Sequence, residues 1–170
     1  MCRTAWPLFF LLTTVSPGAF ALDGLTLGWG HGSDGVEAVQ GTFTTPLQPA
    51  WLLEQLPLPA MRLQFSAADW QWQQENLLAI GIAPVAQWNS HWHSEWQGFI
   101  ELGMGLTYLS RRDLGPRAFG NHLQWQGQVA TGLRFHAWSC ALRGLLYDNL
   151  GLDSPNDGLQ LLSVELGYHW

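Results

Sequence analysis

The stretch that decides the fold runs His122-Leu123-Gln124-Trp125-Gln126-Gly127-Gln128-Val129-Ala130-Thr131-Gly132-Leu133-Arg134-Phe135-His136. Leu123, Trp125, Val129, Leu133 and Phe135 recur at every second position, with Gly127 and Thr131 in phase. Gln124, Gln126, Gln128 and Arg134 fill the alternate positions. Successive side chains of a β-strand leave opposite faces, so this is a strand with one apolar and one polar face. The same period runs outward in both directions. Leu25, Leu27 and Trp29 share a face, and Val36 to Phe43 is a weaker strand. Met61, Leu63 and Phe65 alternate with Arg62 and Gln64, and Leu78, Ile80 and Ile82 with Leu77, Ala79, Gly81 and Ala83. Ile100, Leu102, Met104, Leu106 and Tyr108 oppose Phe99, Glu101, Gly103, Gly105 and Thr107. Trp138 to about Asp148 carries Arg143 opposite Leu142 and Leu146, and the last strand carries Leu162, Val164, Leu166, Tyr168 and Trp170.

These segments predict eight strands, several close to the ~9–11 residues that a tilted strand needs to cross a bilayer. Eight is also the smallest count whose barrel fills its interior with side chains. Composition decides which face looks inward. Only 12% of the 170 residues are charged, none is Lys, and Trp occurs 11 times. A soluble barrel would need long charged side chains on its polar face to stay dispersed. Here that face holds Gln, Gly, Ala, His and a few charges, while the other holds large aliphatics with aromatics at the strand ends. The expectation is therefore an all-β, eight-stranded antiparallel transmembrane β-barrel, apolar outward and closed because lipid tolerates no open sheet edge. Loops near 31–36, 68–76, 110–121 and 148–158 are expected on the outer side, and the proline-rich segment Pro46 to Pro59 on the periplasmic side, with one short helical turn.

The N-terminus reads as an address. Arg3, the apolar run Ala5 to Val15 and the small-x-small triplet Ala19-Phe20-Ala21 have the form of a signal peptide over residues 1–21, leaving one barrel domain over 22–170. Its removal leaves Cys140 alone, so no internal disulfide is expected. A net charge of −6 without a basic stripe argues against nucleic acid as partner. No run approaches the ~20 apolar residues of a membrane helix, and 47% hydrophobic residues exclude a disordered chain. The terminal Trp170, preceded by Tyr168, Leu166 and Val164, resembles the assembly signal of outer-membrane barrels.

The second half carries more specific signals: Phe99-Ile100-Glu101-Leu102-Gly103-Met104-Gly105, Tyr108-Leu109-Ser110, Gly132-Leu133-Arg134-Phe135, and above all the run Arg143 to Gln160. In that run Asn149, Gly151, Pro155, Asn156 and Gly158 stand at the spacing Asn-x-Gly … Pro-Asn-x-Gly. On these residues, over roughly 76–170, the chain resembles the outer-membrane lipid A 3-O-deacylase (PagL-like) family. The resemblance implies an outer-membrane barrel that hydrolyses an ester-linked acyl chain of lipid A, without a cofactor, with lipopolysaccharide in the outer leaflet as partner. It also implies a His, a Ser and a Glu at positions occupied here by Leu146, Asp148 and Gln160. Such a triad needs an activated hydroxyl, an imidazole to take its proton and a carboxylate to orient the imidazole. None of the three groups stands at its position. Asn149, Gly151, Asn156 and Gly158 retain the frame, in the region that in the family helps form the oxyanion hole. Strand parity puts Leu146, Asp148 and Gln160 on the lipid-facing side. The expectation is a barrel of weak or no hydrolysis that keeps lipid A binding or a structural role. The rivals are an active deacylase with a rearranged site using Asp148 or another Ser and His, a small adhesin or assembly barrel, and a soluble periplasmic ligand-binding barrel.

Other constellations read more plainly. Arg111, Arg112 and Arg117 in the third outer loop are candidates for lipid A phosphates, or a solvated loop. His91, His93 and Glu95 have metal-ligand spacing in a turn without a fourth ligand, so no metal is expected. Parity places His122 and His136 inside the barrel with Gln124, Arg134, Arg143 and Glu101, rather than with Ser110 in a substitute triad.

Overall fold

The structure, a computed structural model, describes residues 22–47, 59–91 and 95–170. The leader, most of the Pro46–Pro59 segment and His93 lie outside these residues. The chain forms β1 (Gly24–Gly32), β2 (Glu37–Pro46), β3 (Ala60–Trp72), β4 (Glu75–His91), β5 (Trp96–Leu109), β6 (Asp113–Leu114), β7 (Arg117–Ala118), β8 (Leu123–Phe135), β9 (Trp138–Asp148) and β10 (Leu159–His169). Eight of them close into an antiparallel barrel in the order β1-β10-β9-β8-β5-β4-β3-β2, and β6 and β7 form a separate small hairpin. Closure is made by β1 on β10, where Trp29 faces Val164 and Gly28 faces Glu165. No edge is left to pair in the membrane.

The expected faces hold. Leu27, Ile82, Leu102, Val129, Leu142 and Leu166 are exposed on the outside, whereas Gln64, Glu101, Gln126, Gln128, Arg143 and Glu165 are buried inside. Trp88, Trp96, Trp125, Trp138 and Tyr168 stand on the outside near strand ends, where amphipathic rings suit the interface. Pro84 lies outward in the middle of β4, and the β4–β5 ladder is interrupted there, between Ile82↔Leu106 and Val85↔Gly103. A proline has no N–H to give to that ladder. Gly105 on β5 comes so close there that a Cβ would overlap the Ile82 carbonyl and Ala83.

The interior has two zones. In mid-barrel, Arg143 donates from Nε to Glu165 (2.8 Å) and from its two terminal nitrogens to Gln128 and Glu101 (2.8 Å each). Gln128 continues the chain to Gln64 at 3.2 Å, and Gln64 returns to Glu101 at 3.3 Å. A buried cation is tolerable only when so completely paired. Toward the end bearing the loops 33–36, 110–122 and 149–158, the interior turns apolar: Val36, Trp70, Leu77, Leu109, Leu114, Phe119, Tyr147 and Leu159 are buried together. Trp70 packs edge-on to Tyr147 with ring centroids 4.6 Å apart, and against Phe119 at 6.1 Å. Leu114 and Phe119 come from the β6–β7 excursion, which folds back and plugs the barrel mouth.

Five expectations are corrected. Residues 68–76 are not a loop: β3 and β4 run on to Trp72 and from Glu75, leaving Gln73 and Gln74 as the turn, with Gln73 at φ 54°. The alternation there is hidden because Trp70 and Leu77 point into an apolar rather than a polar interior. His136 is exposed in the β8–β9 turn at φ 52°, against Phe135, rather than inside the barrel. His122 lies just before β8, its Nδ1 2.7 Å from the Leu109 carbonyl and its ring stacked on outward-facing Tyr108. Gln124 instead donates to the carbonyls of Phe119 and Asn121. Arg134 lies 3.4 Å from His169, outside the Arg143 network.

Candidate functional site

The β9–β10 loop is built on Asn149. Its side chain is wholly buried. Nδ2 donates to the carbonyls of Phe119 (3.0 Å) and Asp153 (2.9 Å), and Oδ1 accepts the Gly151 N–H at 2.8 Å. Its own N–H goes to Oδ1 of Asn156 at 3.3 Å. Leu150 and Gly151 take left-handed backbone conformations, at φ 55° and 72°. A leucine rarely holds that conformation unless its surroundings impose it. The imposing group is Asp148, whose Oδ1 accepts the Leu150 N–H (2.5 Å) and the Asn156 side-chain amide (2.9 Å). Gly158, also left-handed at φ 57°, turns the chain into β10. Asn149, Gly151, Asn156 and Gly158 thus lie in one hydrogen-bonded loop.

Leu146 and Gln160 are direct partners across the β9–β10 ladder, and both are exposed on the outer face. Asp148 follows Leu146 on the same side and is half-buried. The three positions therefore lie together at the loop end, facing outward. Below them an open apolar groove of about 860 Å³ runs diagonally over β4, β5, β8 and β9, past Pro84, Met104, Gly127, Gly144 and Leu146. Gly127 forms its floor between Met104 on one side and Leu146 on the other. No sequence feature announces this groove except the two glycines on an otherwise bulky face.

The three arginines do not act alike. Arg117 is mostly buried and donates to the Asp34 carboxylate (2.6 Å) and to the carbonyls of Asp157 (3.2 Å) and Gly158. It ties the β1–β2 turn to the β9–β10 loop. Arg111 pairs with Asp113 at 3.2 Å in the open, and Arg112 is exposed. Among the described residues no group of three or more His, Cys, Asp and Glu is placed to hold a metal ion. Glu95 is exposed, and His93 lies outside the described residues.

Comparison with known proteins agrees with this fold. Residues 25–169 match the profile of the family described as Lipid A 3-O-deacylase (PagL). Lipid A deacylase PagL of Pseudomonas aeruginosa is 34% identical over 67 residues, a segment that makes up 39% of each chain. Among solved structures, the outer membrane enzyme PagL superposes with a TM-score of 0.75 at 20% identity, over 86% of this chain and 99% of that one. Neisserial surface protein A matches at 0.56 and 11% identity, over 86% and 94%. A de novo designed transmembrane β-barrel matches at 0.53 and 12%, over 88% and 95%. Likeness at such identities speaks for the fold alone.

Proposed function

The chain belongs to the lipid A 3-O-deacylase family and is an outer-membrane barrel, and on that premise we propose that it is directed at lipid A while the family's own catalytic positions support little or no ester hydrolysis. The observation that carries this reading is the occupation of Asp148. Its carboxylate is engaged as an acceptor for Leu150 and Asn156, so the group at the nucleophile position holds the loop together. A carboxylate so bound is a poor nucleophile, and the flanking Leu146 and Gln160 offer neither a base nor a charged orienting group. The Leu150 and Gly151 N–H groups are likewise spent within the loop, on Asp148 and Asn149, so they are closed to an oxyanion as they stand.

What supports lipid A as the ligand is placement: family membership, outward-facing positions at the loop end, and an apolar groove leading away from them. Arg111 and Arg112, exposed at that end, are the side chains assigned to its phosphates. Arg117 instead positions the loop.

The test is deacylation in the outer membrane of a host with intact lipid A, read by mass spectrometry of extracted lipid A. The triple restoration Leu146→His, Asp148→Ser, Gln160→Glu is expected to release one hydroxyacyl chain from a large share of the lipid A, with the unaltered chain doing so weakly or not at all. Equal, substantial deacylation by both proteins would overturn the reading.

A further inference from the structure

Three polar side chains outside the loop frame stand at the same end of the barrel, on β1, on β2 and in the turn between them. His31 is exposed on β1, in phase with Leu27 and Trp29. Glu37 is exposed directly opposite it in the β1–β2 ladder. Side chains so opposed have Cβ atoms ~4.5–5.5 Å apart, within reach of an imidazole–carboxylate hydrogen bond. Ser33 follows His31 by two residues, and its Oγ accepts the Gln160 N–H at 3.4 Å. Barrel closure thus brings Ser33 against the backbone of Gln160, 127 positions away, whose side chain is exposed. The turn holding Ser33 is pinned: the Asp34 carbonyl accepts Trp72 Nε1–H at 3.0 Å, and the Asp34 carboxylate is clamped by Arg117.

Read along the ladders, Glu37, His31, Ser33, Gln160 and Leu146 form a row across β2, β1, β10 and β9. We propose that this row is a replacement ester-hydrolysis site: Ser33 the nucleophile, His31 its base, Glu37 the group that orients His31, and the Gln160 side-chain amide the oxyanion donor. The substrate class is a fatty acyl ester of an outer-leaflet lipid, its chain lying over Leu162 and Leu146. The ester is one other than the hydroxyacyl ester that the deacylation test above reads, so the two readings stand or fall separately. The change of a family carboxylate to Gln at 160 fits the row, because an uncharged amide can donate to a developing oxyanion and a carboxylate cannot. No hydrogen bond joins His31 to Ser33 or Glu37 as the side chains stand. Among the described residues no side chain holds His31 or Glu37, so both are free to turn onto Ser33 when an ester is seated.

The step balances without a co-reactant other than water. Ser33 Oγ bonds to the acyl carbon as its proton passes to His31, and the carbonyl oxygen takes the charge beside Gln160. The ester C–O bond then breaks, the leaving alkoxide taking the proton from His31. Water, deprotonated by His31, attacks the acyl-serine, and the acyl carbon–Oγ bond breaks to give a fatty acid and restore the Ser33 hydroxyl.

The test uses the full barrel refolded in detergent, a fluorophosphonate probe and p-nitrophenyl decanoate. Peptide mass spectrometry is expected to find the phosphonyl adduct on Ser33. Labelling and ester turnover are lost in Ser33→Ala and unchanged in the control Ser110→Ala. His31→Ala slows labelling about 100-fold or more, in the range expected of a lost general base. Imidazole added to the buffer is expected to restore part of the labelling in His31→Ala, which a merely structural role would not allow. Each variant is checked for heat-modifiable gel mobility, and Ser33→Cys, tested with a thiol-reactive acyl ester, provides a second read on the same position. No adduct at Ser33 in a folded barrel, or labelling of His31→Ala at the original rate, would overturn the proposal. A barrel inert to the probe that still gains deacylation on the triple restoration would sink this proposal and leave the preceding one standing.

Discussion

Gln160 stands directly across the β9–β10 ladder from Leu146, and its N–H reaches the hydroxyl of Ser33 on the opposite side. One outward-facing residue therefore touches both the family's own catalytic positions and the β1–β2 turn. The two consequences differ. On the β9 side the reactive groups are replaced by a leucine and by a carboxylate bound into the loop. On the β1 side a serine, a histidine and a glutamate lie along the rim.

Restoring the family residues singly is expected to give nothing. The nucleophile and base of a triad act as a unit, and the loss of either costs nearly as much as the loss of all three members. Leu146→His alone leaves no hydroxyl, and Asp148→Ser alone leaves no base. Lipid A mass spectra of the three single restorations should match the unaltered chain, and only the triple change should add deacylation. A single variant as active as the triple would show that the remaining positions are dispensable.

Asp148→Ala should loosen the loop without opening the barrel. It removes the acceptor of the Leu150 N–H and of the Asn156 amide, at a cost of about 1–3 kcal/mol if those donors find no other partner. The left-handed Leu150 then loses what holds it. Limited proteolysis within 149–158 is expected to quicken, while heat-modifiable mobility stays native. Asp148→Asn keeps one acceptor oxygen and should protect the loop nearly as well as Asp148.

Arg117→Ala should have the same local signature by a different route. The guanidinium joins the β1–β2 turn to the β9–β10 loop through Asp34, Asp157 and Gly158. Its loss frees both turns at once, so cleavage should appear near residues 33–36 as well as 149–158. Cleavage confined to one loop would show that the clamp is not shared.

Much of this barrel is legible in its sequence, and the limits have physical causes. Period-2 alternation fixes parity, so Gln124, Gln126 and Gln128 inside, with Leu123, Trp125 and Val129 outside, follow directly. Parity says nothing of depth. Whether an inward position meets a polar network or an apolar plug depends on what loops return to the mouth, and Leu114 and Phe119 are placed there by a hairpin without a strand pattern. That is why the β3–β4 turn reads as a long loop. His136 escapes parity because a turn residue at positive φ no longer belongs to the strand's alternation. At the site, the outward side of Leu146 and Gln160 is legible, and so is the Asn149 frame. The meeting of Ser33 with Gln160 is not, because it is made by closure of β1 on β10, the pairing most distant in sequence.

Arg143 should be the least replaceable residue of the interior. It bonds Glu101, Glu165 and Gln128 in the barrel's centre, and its truncation leaves two buried carboxylates facing one another without a cation. Breaking a buried ion pair by removing one partner costs about 3–5 kcal/mol, a large part of the stability of a small domain. Arg143→Ala is therefore expected to lower the urea midpoint of the detergent-refolded barrel sharply. Arg143→Met, Glu101→Gln, Glu165→Gln together remove all three charges while keeping side-chain volume, and should recover most of the loss. The comparison separates charge from packing: a triple variant as unstable as Arg143→Ala would mean that the interior depends on the shape of the guanidinium, and a triple variant near the original midpoint would mean that it depends on charge balance.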